Sequence, residues 1–250
     1  MSTGVLVGCD ANQEWLLSWW YSHFREHNPL CELAFADFGM TREGRNWCKE
    51  RGALIDVPAL HSVSSEEQGL YYRGERWEQV HDEKPWPSHR LIYFQKPFAI
   101  QQAPFHRVLW LDLDCKVLGN LDPLLSFPLG KTNLAARTAS FLRVKNSSKK
   151  EEIWIKNYNG GVILVEKDSP LLNLWIEGTE KNGSCYFVGA DCLLSFYIAL
   201  NPVDTAALPL QYNWNATLWG PDPTALIHHW QKEAGKTAIR LLEMNRRTYE

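Results

Sequence analysis

The sequence predicts an α/β fold in which a mostly parallel central sheet is flanked by helices. Between residues 5 and 57, short apolar runs typical of buried strands alternate with amphipathic helical patterns, and this alternation favours a parallel sheet. A length of 250 residues suits one large domain, and the 45% apolar composition supplies a sizeable core. We therefore expect a single domain over residues 1–250, interrupted by an irregular insertion at about 61–88.

The first elements follow one another without long gaps. Val5–Asp10 is an apolar run that ends in a polar turn, which predicts a buried first strand. In Glu14–His27 the apolar residues recur on one face of a helix. Cys31–Phe38 is the second predicted strand, Thr41–Arg51 is a helix opened by a threonine cap, and Ala53–Val57 is the third strand.

The regular pattern stops between His61 and Ser88. This stretch is charged and rich in tyrosine and tryptophan, and it predicts an irregular excursion, either a flap over the site or a plain surface loop. Arg90–Gln102 then predicts a helix, with Pro97 as a kink or boundary. The remaining predicted elements are strands at 107–114, 133–138, 158–166, 206–210 and 224–229 and helices at 171–181 and 191–200.

The composition argues against several classes of protein. The formal net charge is -3 and no basic stripe is visible, so a nucleic-acid partner is not expected. No apolar run approaches the length of a transmembrane helix, and the N-terminal residues lack the basic and apolar regions of a secretory signal. Six cysteines without C-x-x-C spacing are typical of reduced thiols. We expect a cytoplasmic protein.

Two acids, Asp112 and Asp114, end the most apolar predicted strand, Arg107–Asp114. Residues i and i+2 of a strand project to the same side, so both carboxylates can face one pocket. Neighbouring carboxylates repel each other, and a divalent cation relieves the repulsion while it also recruits a diphosphate. Oxygen ligands suit Mg²⁺ or Mn²⁺, and an added imidazole favours Mn²⁺.

The sequence around this pair resembles a known family. Leu109–Leu124 resembles the Asp-x-Asp block of the GT-A-fold glycosyltransferases, in particular glycosyltransferase family 8, the glycogenin and galactosyltransferase group. Further blocks occur in the family's order, and the resemblance spans about residues 5–236. These blocks are Tyr158–Glu166, Gly189–Leu194, Leu208–Asn213 and Leu226–His229.

The resemblance implies a GT-A nucleotide-diphospho-sugar transferase fold and a metal site. Asp112, Asp114 and His228 would hold Mn²⁺, or Mg²⁺, against the donor diphosphate, with Asp112 also near the ribose. His229 is the rival ligand, because adjacent strand residues point to opposite faces and only one can turn inward. We favour His228, since Leu226-Ile-His matches the apolar-apolar-His context of the family.

The resemblance also implies binding residues for a UDP-sugar. Asp10 and Asn12 would contact the uracil and its ribose, although polar residues after a strand are also common turn formers. Lys96 would reach the donor sugar or phosphate, with a helical surface lysine as the competing interpretation. The donor sugar would meet Asn159, the adjoining backbone of Gly160 and Gly161, and Asp191. A helix N-cap is the structural alternative for Asp191.

Two departures from the family pattern bear on mechanism. Cys192 stands where the family usually has a glutamine at the reactive face of the sugar, so the stereochemical course is open. The C-terminal pattern is also altered, and the phosphate-binding lysine is Lys232, Lys236 or missing.

The implied reaction is metal-dependent transfer of a sugar from a UDP-sugar to an unknown acceptor hydroxyl of a saccharide, lipid or protein, with retention if the family's stereochemistry holds. The main alternative is a catalytically silent GT-A domain that binds nucleotide or sugar without transfer; Cys192 and the altered C-terminal block favour it. A phosphohydrolase ranks lower, because Lys116 occupies the position where its Asp-x-Asp motif requires Thr or Val. The 61–88 insertion and the C-terminal tail are candidates for binding the acceptor.

Overall fold

The computed structural model describes residues 2–60, 70–80, 88–181, 183–201 and 203–248, and the side chains of all of these except 88–90 and 244–248. Its strands are β1 (Thr3–Cys9), β2 (Leu33–Asp37), β3 (Ala53–Asp56), β4 (Leu70–Tyr72), β5 (Glu75–Gln79), β6 (Arg107–Leu111), β7 (Cys115–Val117), β8 (Leu134–Asn146), β9 (Glu151–Glu166), β10 (Ala206–Ala207), β11 (Trp214–Asn215) and β12 (Ile227–His229). The α-helices are α1 (Leu17–His27), α2 (Arg42–Lys49), α3 (Lys96–Gln102), α4 (Asp122–Leu125), α5 (Pro170–Glu180), α6 (Ala190–Leu200), α7 (Ala216–Trp219) and α8 (Lys232–Thr248).

The large sheet has the order β3-β2-β1-β6-β9-β8-β5-β4, with β10 beside β8. Neighbours from β3 to β6 are parallel, as the β-α-β alternation predicts. From β6 onward, each neighbour on this path is antiparallel. The sheet is therefore mixed, and the expectation of a mostly parallel sheet is corrected: the parallel half ends at β6, and hairpins build the other half.

The predicted irregular insertion is partly regular. Within it, β4 and β5 form a hairpin that extends the sheet beside β8. The turn of the hairpin places Arg73 and Gly74 at φ 52° and 80°, the left-handed conformation that two-residue hairpin turns require. The expectation of irregular structure is thus wrong for 70–79, while 61–69 and 81–87 lie outside the described residues.

Pro97 marks a helix boundary, as predicted. The predicted helix at 90–102 divides into 3₁₀ turns over Ser88–Gln95 and the α-helix α3, which begins at Lys96 with the proline in its first turn. Proline is tolerated there because the backbone N–H groups of the first turn have no partner within the helix.

Two apolar layers cover the two faces of the sheet. On β1, Leu6 packs into the layer that contains Trp175 of α5. The preceding and following residues, Val5 and Val7, face the other layer, together with Trp20 of α1. A strand buried on both faces appears in the sequence as a continuous apolar run. Within the described residues, we find no helix that combines the length and the apolar character needed to cross a membrane.

A second, three-stranded sheet has the order β11-β12-β7. Strand β12 runs antiparallel to β7, with His229 opposite Cys115 and Ile227 opposite Val117. The backbone N–H of Trp230 donates to the carbonyl of Asp114 at 2.9 Å. This small sheet fixes the last strand of the chain against the turn that contains the two acids.

Candidate active site

A cleft opens where β1 and β6 end, and it consists of two adjoining cavities. The smaller cavity, of about 470 Å³, is lined by the predicted residues Asp10, Asp112 and Asp114, but not by Asn12 or His228. The larger cavity, of about 860 Å³, contains Gly160 and Cys192. Ligands of open α/β sheets bind outside the carboxyl ends of the parallel strands, which is where this cleft lies. Five predicted site residues line both cavities, so the two cavities meet at these side chains: Lys96, Asp112, Asn159, Asp191 and Lys232.

The two acids lie in a turn and not in a strand. Strand β6 ends at Leu111, and the turn leads directly into β7. The backbone N–H of Asp112 donates to the carbonyl of Gly161 at 2.9 Å. Both carboxylates line the smaller cavity, as predicted. The strand-based argument for their shared direction is therefore corrected, because it is a tight turn that brings them to one cavity.

Asp112 is held by two donors. Lys96 Nζ lies 2.9 Å from Asp112 Oδ1, and Trp110 Nε1 donates to the same oxygen at 2.6 Å. Burial by itself raises the pKa of Asp112, but the charge of Lys96, the electrostatic influence of the nearby His229 and these two hydrogen bonds outweigh it, so the pKa is lowered. Lys96 also donates to the Gly160 carbonyl at 2.8 Å. The site thus keeps the Asp112 carboxylate ionised beside the Lys96 ammonium group, which these hydrogen bonds hold in place.

Asp114 faces the second histidine of the pair. Its carboxylate is buried, and Oδ1 has no hydrogen-bond partner among the described residues. His229 Nε2 lies 3.2 Å from this oxygen. We interpret this contact as a close approach without hydrogen-bond geometry. An oxygen that is buried and unpaired is costly, so the arrangement fits a cation held between the carboxylate and the imidazole.

His228 lies on the opposite side of β12. Its Nε2 is 3.0 Å from the backbone nitrogen and 2.7 Å from the backbone oxygen of Asp222. Adjacent residues of a strand point to opposite faces, so only one of the two rings can face Asp114. The structure places His229 there, and the preference for His228 in the predicted metal set is corrected to His229.

Asn213 connects His229 to the part of β9 that contains the two glycines, a role that its sequence context did not reveal. His229 Nδ1 lies 3.0 Å from Asn213 Oδ1, and Asn213 Nδ2 donates to Asn159 Oδ1 at 2.9 Å. The Gly161 N–H donates to the same Asn159 oxygen. Asn213 is fully buried. The signal that could have revealed it is its position at the end of the Leu208–Asn213 block.

Two glycines allow this close packing. A Cβ on Gly160 would lie 2.9 Å from Asp191 Cβ and 3.4 Å from Lys96 Nζ, and one on Gly161 would overlap the ring of His229. Any larger residue would therefore separate the lysine, the aspartate and the histidine. Glycine is therefore required at both positions because neighbouring side chains approach the backbone closely there.

Asp191 lies half-buried in the first turn of α6. Its Oδ1 accepts a hydrogen bond from the Cys192 N–H at 3.0 Å. Gly189 precedes the helix, so Asp191 is not the N-cap. Burial raises the pKa of Asp191, although the Lys96 charge opposes the increase. The carboxyl group therefore has a stronger tendency to hold a proton than an exposed aspartate.

Cys192 lines the larger cavity beside Asp191. Burial, with the charge of Asp191 as the next cause, raises the pKa of its thiol well above the ordinary value. A thiol in this environment stays protonated, and nucleophilic attack by cysteine requires the thiolate. Cys192 can therefore shape the cavity but is not suited to form a covalent intermediate.

The remaining predicted residues lie on the side of the cleft that contains Asp10, and Asn12 lines a small neighbouring cavity together with Asp10. Asn12 Nδ2 donates to Asp10 Oδ2 at 2.9 Å, and Asp10 Oδ1 is buried without a hydrogen-bond partner among the described residues. Lys232 and Lys236 both line the smaller cavity, so both remain candidates for the predicted phosphate-binding lysine. Lys232 begins α8 with φ +64°, a strained conformation outside glycine.

The chain was compared with protein-family models, with the sequences of curated proteins and with solved structures. Neither a protein-family model nor the sequence of a curated protein matches the chain. Among solved structures, the galactosyltransferase LgtC in complex with donor and acceptor sugar analogues superposes with a TM-score of 0.61 at 16% identity, covering 96% of this chain and 94% of that one. The apo-form glycosyltransferase GlyE of Streptococcus pneumoniae TIGR4 also has a TM-score of 0.61, at 18% identity over 93% of this chain.

A third similar structure is the apo form of mouse xyloside xylosyltransferase 1, with a TM-score of 0.55 and 13% identity over 92% of this chain and 97% of that one. The present chain spans 55% of the GlyE chain. The protein shares the fold of these glycosyltransferases, which confirms the predicted GT-A fold.

Proposed function

We propose that this protein is a metal-dependent glycosyltransferase that moves a sugar from a UDP-sugar to an acceptor hydroxyl. The observation that carries the proposal is the buried Asp114 Oδ1, which has no hydrogen-bond partner in the described part of the chain and faces His229 Nε2 at 3.2 Å beside Asp112 in the cleft. The GT-A fold supports it, because the three neighbours described above are all glycosyltransferases.

The metal set that we propose is Asp112, Asp114 and His229. Two carboxylates and an imidazole suit Mn²⁺. Mg²⁺ is the alternative cation, although it prefers oxygen ligands to an imidazole nitrogen. We assign Asp112 Oδ2 to the cation, since Lys96 and Trp110 both contact Oδ1. The Cys115 thiol is also near, but its raised pKa keeps it neutral. When bound, the cation supplies charge neutralisation at the donor diphosphate.

The residues around this set provide the rest of a donor site. Lys232 and Lys236 bring positive charge to the nucleotide side of the cleft, where a diphosphate is negative. Asp10 has an unpaired buried oxygen that can accept a hydrogen bond from a uracil or ribose. Its partner Asn12 offers both a donor and an acceptor. We assign these two side chains to the nucleoside.

We assign the donor sugar to the junction of the two cavities, where Lys96, Asn159 and Asp191 converge. Fixed polar groups there orient the sugar before reaction and stabilise charge that develops at its anomeric carbon. The bond from the anomeric carbon to the diphosphate breaks, a bond to the acceptor oxygen forms, and the hydroxyl proton is released. We propose retention of configuration, which the resemblance to glycosyltransferase family 8 implies, and we propose no cysteine-linked intermediate, because burial raises the pKa of the Cys192 thiol well above its ordinary value.

A turnover assay tests this function. UDP release is measured for the protein with Mn²⁺ and a panel of UDP-sugars, and Asp114→Asn is measured beside it. We expect release with at least one donor and none with the variant, since the amide cannot replace the buried carboxylate. Tight donor binding without hydrolysis or transfer across the panel would contradict transfer and establish a silent GT-A domain instead.

A further inference from the structure

Two aromatic side chains are exposed on the hairpin formed by β8 and β9. Phe141 is 65% exposed and Trp154 is 70% exposed, although residues of this size are usually covered. Both line the larger cavity, which also contains Lys96 and Asp191. Their exposure is therefore continuous with the cleft where the sugar transfer is proposed.

The strand register places the two aromatic residues on one face of the hairpin. Arg143 pairs directly with Trp154, and Phe141 pairs with Lys156 two positions along. Direct partners share a face, and residues two apart on one strand also share it. Diagonal neighbours such as Phe141 and Trp154 are about 7–8 Å apart by general strand geometry. We call this pair of side chains the aromatic platform.

Charged groups surround the aromatic platform. Arg143 forms an ion pair with Glu152 at 3.3 Å, and Lys156 lies on the same face. The polar side chains of Gln79 and Asn157 line the same cavity. Two isolated rings among charges do not make the continuous apolar patch that marks protein or membrane contacts. They suit a ligand with an apolar face and a polar rim, which describes a pyranose ring.

The spacing between Trp154 and Asn159 along β9 indicates the size of the ligand. Asn159 belongs to the proposed donor-sugar site, and Trp154 precedes it by five residues in the same strand, so the two side chains leave β9 on opposite faces while both border the larger cavity. At about 3.3 Å per residue, the two positions are about 16 Å apart. One acceptor ring covers only part of this distance, which favours an acceptor of more than one ring.

We propose that the acceptor is an oligosaccharide whose inner ring stacks on Trp154 and Phe141 while its terminal hydroxyl lies near Asp191. This inference rests on the proposed function and adds the class of acceptor. It selects a saccharide of two or more rings among the hydroxyl compounds that a glycosyltransferase can use.

The test measures binding of unlabelled saccharides by saturation-transfer-difference NMR, with UDP and Mg²⁺ present, because Mg²⁺ is diamagnetic and leaves the ligand signals sharp. The probes are mono-, di-, tri- and tetrasaccharides of glucose, of galactose and of N-acetylglucosamine. We expect affinity to rise about tenfold or more with length in at least one series, and Trp154→Ala to remove that gain. Trp219→Ala is the matched control, since Trp219 is also exposed but lies outside both cavities.

Each other outcome overturns the acceptor proposal. Affinity independent of length, no binding of any probe at millimolar concentration, or equal loss in Trp219→Ala rejects the aromatic platform. Trp154-dependent binding to vesicles of anionic phospholipid in place of the saccharides assigns the surface to a membrane. Titration of UDP with Mn²⁺ on the same samples separates the two claims, because intact UDP binding leaves the proposed function standing when the aromatic platform fails.

Discussion

The orientation of one imidazole depends on a chain of three polar side chains. Asn159 Oδ1 accepts a hydrogen bond from the Gly161 N–H, which identifies this atom as the amide oxygen. The Asn213 atom that contacts it must therefore be the donor, Nδ2. Asn213 Oδ1 is then left to accept from His229 Nδ1. A neutral His229 ring that donates from Nδ1 directs the lone pair of Nε2 towards Asp114. A metal-ligating histidine needs this tautomer, and its partner on the other ring nitrogen fixes it.

Replacement of Asn213 should weaken metal-dependent binding without removing a metal ligand. In Asn213→Ala, His229 loses the acceptor that orients it, and we expect the affinity for Mn²⁺ to fall by about 10- to 100-fold. Calorimetric titration of Mn²⁺ in the presence of UDP measures it. Gln231→Ala is the control, because Gln231 contacts His229 Nδ1 only at 3.4 Å. Unchanged affinity in Asn213→Ala would remove the positioning role.

The raised pKa of Asp191 predicts a stability effect that depends on pH. A carboxyl group with a folded-state pKa above its unfolded value stabilises the fold fully below the unfolded pKa, and this stability is lost as pH rises through the folded pKa. Asp191→Asn removes the cost of the buried charge, so we expect it to raise the Tm at pH 7. The difference from wild type should shrink as pH falls towards the ordinary carboxyl range. A lower Tm for the variant at pH 7 would contradict this account.

At the scale of elements, the pairing of β12 with β7 decides which histidine faces the site. These strands are short and far apart in sequence, and a slip by one residue would exchange the two rings. The local context Leu226-Ile-His could not supply this register, which is why the sequence favoured the wrong ring. By contrast, Asp112 and Asp114 follow an apolar strand directly, so the local pattern was sufficient to place them at the cleft.

The hairpin of β8 and β9 depends on Asn146 at its turn. Asn146 is fully buried; its Oδ1 accepts from the backbone N–H groups of Ser148 and Lys149, and its Nδ2 donates to Glu75 of β5 at 2.7 Å. Asn146→Ala removes these three hydrogen bonds and leaves a gap at a fully buried position, so we expect a loss of about 1–3 kcal/mol in the free energy of unfolding. Urea denaturation measures the loss.

Asn120→Ala is the control for Asn146→Ala. Asn120 makes a comparable contact, accepting from the Asp122 N–H at 2.8 Å, but it is exposed. Surface substitutions of this kind usually change stability by less than about 0.5 kcal/mol. Equal losses in both variants would show that burial of Asn146 is not what makes it important.

For the whole molecule, the sequence predicted the half of the fold that helical crossovers build. Alternating apolar runs and helical patterns are a local signal, and they place β1, β2, β3 and the helices between them. The antiparallel half depends on which hairpins pair across the sheet, and its turns were visible only as polar stretches such as 145–152. Asn213 was missed for the same reason, since its role exists only once distant segments meet.

The central claim is that Asp112, Asp114 and His229 form a metal-dependent nucleotide site. The most direct measurement is isothermal titration of UDP into metal-stripped protein, with and without Mn²⁺, for wild type, His229→Ala and His228→Ala. We predict binding in wild type only with Mn²⁺, its loss in His229→Ala, and its retention in His228→Ala, provided that melting curves show each variant to be folded. Absence of binding under both conditions, or loss in His228→Ala alone, would contradict the account.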